Sequence, residues 1–193
     1  MKWFCRCLEE LLPFVFFVFN KKRILKRISN YDEWKKDAKK YTDLDEGDLK
    51  VRITQEHERG VKIDEKTFKF TLGLSVSLTV LAAASGTFVK FMPDTSFRGI
   101  ISIICGLAAL YMLAAGITAL GAIKTLPTFG YGTAYLINLK NDATTCLTES
   151  LYCQEQMNIV RHLRNESAFQ ALRNGFFLLF LALIISIISV CKM

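Results

Sequence analysis

The chain has little of what usually performs chemistry or interrupts helices: its 193 residues include 3 prolines and 2 histidines. So few prolines exclude a Pro-rich stalk, and His57 and His162 stand too far from one another and from paired cysteines to form a metal-ligand set. Charge is also sparse, at 22% of positions against 51% apolar, with a mean hydropathy of +0.26. These values exclude a disordered chain and most ordinary soluble enzymes. The six cysteines (Cys5, Cys7, Cys105, Cys146, Cys153 and Cys191) are scattered across the expected compartments, so an intramolecular disulfide framework is not expected. What the chain does have is long apolar runs.

Three of these runs approach the length of about 20 residues that a helix needs to cross a bilayer. They occupy residues 70–89, 99–123 and 175–190, bracketed by Lys69 and Lys90, Arg98 and Lys124, and Arg173 and Lys192. Their backbone can be satisfied in lipid only as helices, because no run alternates like a barrel strand. A fourth run, residues 11–19, is too short to span and contains Pro13. Glu9 and Glu10 precede it and Lys21-Lys22-Arg23 follow it, which is the wrong flanking chemistry for a signal peptide. It reads as an interfacial helix over 3–19, with Trp3, Phe14, Phe16, Phe17 and Phe19 at the acyl boundary.

The expected fold class is therefore an all-α membrane protein with three transmembrane helices, an N-terminal interfacial helix and cytosolic helices. Lysine and arginine crowd the chain before the first run, whereas the short loop after it carries Asp94, which places the N-terminus in the cytosol. Four regions follow: a cytosolic region 1–66, a transmembrane hairpin 67–123, a cytosolic excursion 124–174 and a final anchor 175–193. In the first region, Tyr31, Trp34 and Ala38 are spaced as on a helix. Val51, Ile53, Val61 and Ile63 alternate with polar residues and fit a short β-hairpin over 50–64, with a helix running straight into the first span as the alternative. Leu147, Leu151, Ile159 and Leu163 recur at i,i+4 and predict a long amphipathic helix from Thr144 to about Arg173.

Lys21, Lys22, Arg23, Lys26 and Arg27 form the densest cationic block, suited to anionic headgroups. Arg161, Arg164 and Arg173 could converge with it on a phosphate-rich ligand. Cys5-Arg6-Cys7 beside the interfacial helix reads as a pair of plain membrane-interface thiols, with acylation in a eukaryotic host as the alternative and a metal site the least favoured. Within the spans, Ala82, Gly86, Ala115, Gly116 and Ala119 would permit close helix packing, here assigned to an oligomer interface. No ionisable side chain lies in any span, so a proton relay has nothing to act through. No nucleophile–base pair, paired carboxylates or phosphate-cradling loop appears, so neither catalysis nor a cofactor is expected.

Thr128-Phe129-Gly130-Tyr131-Gly132 resembles the potassium-channel filter signature except at its second position. A filter needs a pore helix before it, and only residues 124–127 separate the motif from the second run, so a redirecting turn is the reading retained. At the level of layout, Asp64-Glu65-Lys66, a hairpin beginning near Gly73 and a long helix over 151–172 feeding a last span resemble the SLATT-type and Pycsar-type membrane effectors of bacterial antiphage signalling. The similarity covers about residues 60–190 and carries over no individual binding residue. It implies a multi-pass protein of the bacterial inner membrane that oligomerises and permeabilises the membrane in response to a nucleotide-type signal, an oligonucleotide or a cytosolic regulatory protein. The competing expectation is a non-catalytic membrane-anchored scaffold or membrane-shaping protein whose basic block grips lipid.

Overall fold

The computed structural model describes residues 9–30, 36–41, 43–91, 96–121 and 126–191, and their side chains except at 71, 72, 75, 79–91, 96, 97, 190 and 191. The expectations for Trp3, Cys5, Cys7, Tyr31, Trp34, Asp94, Ala82 and Gly86 lie outside these described positions. Five helices are described: α1 (Pro13–Ser29), α2 (Glu46–Phe91), α3 (Ser96–Leu120), α4 (Thr133–Asn141) and α5 (Ala143–Cys191), with a 3-10 turn at Lys39–Tyr41. Among the described residues there is no strand.

The β-hairpin over 50–64 is thus corrected to helix, and the alternative of a helix entering the first apolar run is what the chain adopts. Val51 and Val61 are exposed while Ile53 is buried, so the apparent alternation never corresponded to one face. The buried line of α2 instead runs through Leu49, Ile53, Glu56, Gly60, Thr67 and Leu74. Polar and small residues occupy that line at the positions where apolar ones would have revealed its period of about 3.5 residues. Asp45 fixes the start of α2, its carboxylate accepting the amide of Asp48 at 2.7 Å.

The chain divides into two compact units. One comprises Phe17–Thr67 and Ala122–Asn165. Its core joins Leu49 and Ile53 of α2 to Leu147 and Leu151 of α5, with Tyr135 and Leu139 of α4 packed against them. A second cluster holds Ala38, Tyr152 and Cys153, against which Ile28 of α1 and Phe129 pack. Asp142 starts α5 by accepting the amide of Thr145 at 3.1 Å, which holds its carboxyl below the usual range. Burial, aided by the charge of Glu149, pushes the Cys153 thiol up to about 11 from its ordinary value of 9.0. Its reactive thiolate is then about 100-fold scarcer near neutral pH. We expect maleimide at pH 7.5 to leave Cys153 unlabelled in the folded protein and to label it on denaturation, read by peptide mass. Rapid native labelling would contradict its burial.

The other unit comprises Met1–Phe16, Phe68–Gly121 and Glu166–Met193. Ile101, Cys105, Ala108, Met112, Ala115 and Ala119 make one buried line along α3, again at about 3.5-residue spacing. Ala168, Ala171, Gly175, Ala182, Ser186 and Ser189 make the corresponding line on α5. Small residues let the two backbones approach, as helices surrounded by hydrocarbon require. A Cβ on Gly175 would lie 2.9 Å from Met112 Cγ and 3.2 Å from the Ala108 carbonyl oxygen. Ala115 and Ala119 are therefore spent on packing within one chain, against Leu74, Ala168 and Ala171, and do not face a second copy as expected from sequence. Gly116 is half-buried, with nothing within 4 Å of where a Cβ would stand.

The opposite sides of α3 and α5 present Ile103, Leu110, Leu113, Phe177, Phe180 and Ile187 to the outside. Arg98–Leu120 and Ala143–Ser189 are the two described helical stretches long and apolar enough to cross a membrane. Thr118 and Ser77 donate their hydroxyls to carbonyls one turn back in their own helices, at 2.7 and 2.8 Å. Before α1, Pro13 interrupts the helical residues 9–11, because its ring disfavours helical geometry at Leu12 and it has no amide hydrogen. The carbonyls left over are taken from outside the segment. Tyr111 Oη donates to Leu11 O at 2.8 Å, and Asn174 Nδ2 donates to Glu10 O at 2.7 Å.

Candidate functional site

The stripe of α5 changes character along its length. Leu147 and Leu151 are apolar, Gln154, Asn158, Arg161 and Arg164 are polar or charged and almost fully buried, and Ala168 and Ala171 are small. The four polar residues follow the same helical spacing as their neighbours and so are carried into the unit's interior. There they meet Glu56, Gly60 and Asp64 of α2. A Cβ at Gly60 would come within 2.9 Å of Asn158 Oδ1 and 3.2 Å of Arg161 Nη1, so this glycine makes room for the two side chains.

Asn158 is the hub. Its Nδ2 donates to the Glu56 carbonyl oxygen at 2.6 Å and to Glu56 Oε2 at 2.8 Å. Its Oδ1 accepts Arg161 Nη1 at 2.7 Å and Gln154 Nε2 at 3.3 Å. Glu56, itself 3% exposed, also lies 3.7 Å from Arg52 and 3.4 Å from Arg59. Arg52 reaches Glu155 at 3.4 Å, and the Tyr41 hydroxyl donates to the same carboxylate. Burial first, then the contact with Glu155, raises the Tyr41 phenol well above its ordinary range.

The Thr128–Gly132 turn closes over this cluster. His57 Nε2 lies 2.7 Å from Phe129 O, and the Phe129 amide donates to Gln154 Oε1 at 3.1 Å. The Tyr131 ring stacks on His57 at a centroid distance of 4.2 Å. Gly130 and Gly132 hold φ values of 84° and 94°, which side-chain-bearing residues rarely adopt, so the two glycines serve this docked turn. The motif resembling a channel filter is thus a strap on α2 and α5 within the polar unit.

Between strap and helices lies a cleft of about 350 Å³. It is lined by His57, Gly60, Val61 and Asp64 of α2, by Gln154 and Arg161 of α5, and by Leu126, Thr128 and Tyr131 of the segment between α3 and α4. Arg161 Nε is 3.2 Å from Asp64 Oδ2, but aligned too poorly for a hydrogen bond. Burial chiefly lowers the pKa of Arg164 from its ordinary value, with Asp64 raising it and Arg161 lowering it further.

Of the cationic residues expected from sequence, Arg161 and Arg164 come together beside Asp64. The block 21–27 forms the second half of α1, where Lys26 and Arg27 in the last turn favour the negative end of the helix. Arg27 pairs with Asp37 at 3.4 Å, and Tyr152 donates to the same carboxylate at 3.2 Å. No described contact joins the block to Arg161 or Arg164, and Arg173 pairs instead with Glu10 at 3.7 Å. Lys22, Arg23 and Lys26 remain exposed and Lys21 half-buried, the disposition that contact with a charged surface needs.

Sequence reasoning did not single out Glu56, His57, Asp64, Tyr131, Gln154 and Asn158 as one site. The available signal was four polar residues at stripe spacing between Leu151 and Ala168. No protein-family model matches this chain, and no curated protein and no solved structure matches it either.

Proposed function

We propose that the protein is a homo-oligomeric membrane effector or channel, gated from the cytosol, that permeabilises a bacterial inner membrane in a defence or stress response. On this reading it crosses the membrane three times, through the apolar runs of α2, α3 and α5, with its N-terminus and the polar unit in the cytosol. It is non-catalytic, and its output is altered membrane permeability. The exposed half of α1, with Lys22, Arg23 and Lys26, rests on anionic headgroups.

The observation that carries the reading is α5 itself. It is one unbroken helix, Ala143–Cys191, whose first part supplies the buried Gln154, Asn158 and Arg161 of a polar cleft. After Arg173 the same helix contains no charged residue. A helix can transmit a shift or rotation along its axis, so a change of occupancy at Arg161 has a direct route to the apolar segment. Assembly into oligomers requires a face left free by packing within the chain. Gly116 on α3 lies on such a face, whereas Ala115 and Ala119 do not.

Induced expression in bacteria carrying a potential-sensitive dye tests this reading. The expected result is depolarisation that follows protein accumulation and disappears when residues 175–191 are replaced by an unrelated membrane anchor. An intact membrane potential at high expression, with the protein in the membrane fraction, would favour the scaffold.

A further inference from the structure

We infer that the cleft over Arg161 binds a small organic anion, a carboxylate or phosphate ester with a flat apolar body. This deepens the reading of the polar unit as the sensing part of a gated effector, and rests on it for its biological meaning but not for its geometry. Among the described ion pairs, Arg52, Arg59 and Arg161 meet three carboxylates, those of Glu56, Asp64 and Glu155. Glu56 and Glu155 are held by Arg52, Arg59 and the hydrogen bonds of Asn158 and Tyr41, which leaves Asp64 as the one carboxylate paired with the buried Arg161. Asp64 is 43% exposed, whereas the Arg161 side chain is 7% exposed. A buried cation with so little compensation is costly, and a bound anion removes that cost.

Arg161 Nε is buried without a hydrogen-bond partner, although Arg161 lines the cleft. Gln154, 1% exposed, and Thr128 line the same space and can orient an oxygen-rich group. About 350 Å³ lies at the small end of ligand cavities, and Val61, Leu126 and Tyr131 add apolar and aromatic surface to the lining that Arg161 shares. A cation would be opposed by Arg161, and a neutral ligand would leave its charge as it is.

Titration of the full chain in detergent with phenyl phosphate, benzoate, neutral benzamide and benzylammonium, followed by saturation-transfer NMR, tests the assignment. Saturable binding of the two anions and none of benzamide or benzylammonium is expected. Arg161→Gln should raise the Kd about tenfold or more, the scale of one charge-assisted hydrogen bond. Since removing a buried guanidinium can disturb the fold, Tyr131→Ala is the companion variant. Its ring is 64% exposed, so the thermal midpoint should hold while phenyl phosphate binding weakens severalfold. Absence of anion binding, equal binding of benzamide, or unchanged affinity in both variants would overturn the site. Because NMR reads binding whether or not the protein conducts, failure of the site and failure of the channel reading are separable.

Discussion

Asn158→Ala is expected to destabilise the polar unit by about 3–5 kcal/mol, the scale of stripping a partner from a buried charge. The side chain is 0% exposed and makes two bonds to Glu56 while accepting from Arg161 and Gln154. Alanine would leave Glu56 with Arg52 and Arg59, both of which are exposed, and would free Arg161 Nη1 in the interior. The thermal midpoint of the full chain in detergent should fall by roughly 10 °C, given a few degrees per kcal/mol for a chain of this size. A fall of only a degree or two would mean that Glu56 and Arg161 find other partners, and that the network is peripheral.

Gly175→Leu should disrupt the other unit to a similar or greater extent. Even an alanine methyl would press on the Met112 side chain and, at 3.2 Å, on the rigid Ala108 carbonyl. Leucine adds three more carbons, and overpacking of this kind costs about 1–3 kcal/mol or more. In hydrocarbon no hydrophobic gain offsets the loss, because close packing is what holds such helices together. The midpoint of unfolding in an SDS titration should drop sharply. Gly116→Leu provides the contrast: open space surrounds that position, so the fold should persist and only assembly should change. Equal loss of fold in both variants would contradict the packing of α3 on α5.

The apolar runs of α3 and α5 were legible in the sequence because each is long, free of charge and bracketed by cations. The long helix after residue 143 was legible through Leu147 and Leu151, which do lie in the core. Residues 50–64 were ambiguous for a physical reason: β-branched Val51, Ile53, Val61 and Ile63 suggest a strand, and Glu56 and Gly60 occupy stripe positions where a helical period would otherwise show. The small residues of α3 were read as oligomer packing, and periodicity cannot tell a contact with another helix of the same chain from one with a second copy. The candidate cleft was hardest to foresee. Arg161 and Arg164 drew notice as cations, whereas Asn158, Gln154 and His57 acquire meaning only when α2, α5 and the 128–132 strap come together.

On the function proposed above, the protein conducts ions under control of its polar unit. The most direct test is ion flux through liposomes containing the purified chain, together with its mass in detergent. Flux from a discrete oligomer, altered by phenyl phosphate in the wild type and insensitive to it in Arg161→Gln, is the predicted result. A silent monomer or dimer, with no flux at any anion concentration, would contradict the account and leave a membrane-anchored scaffold in its place.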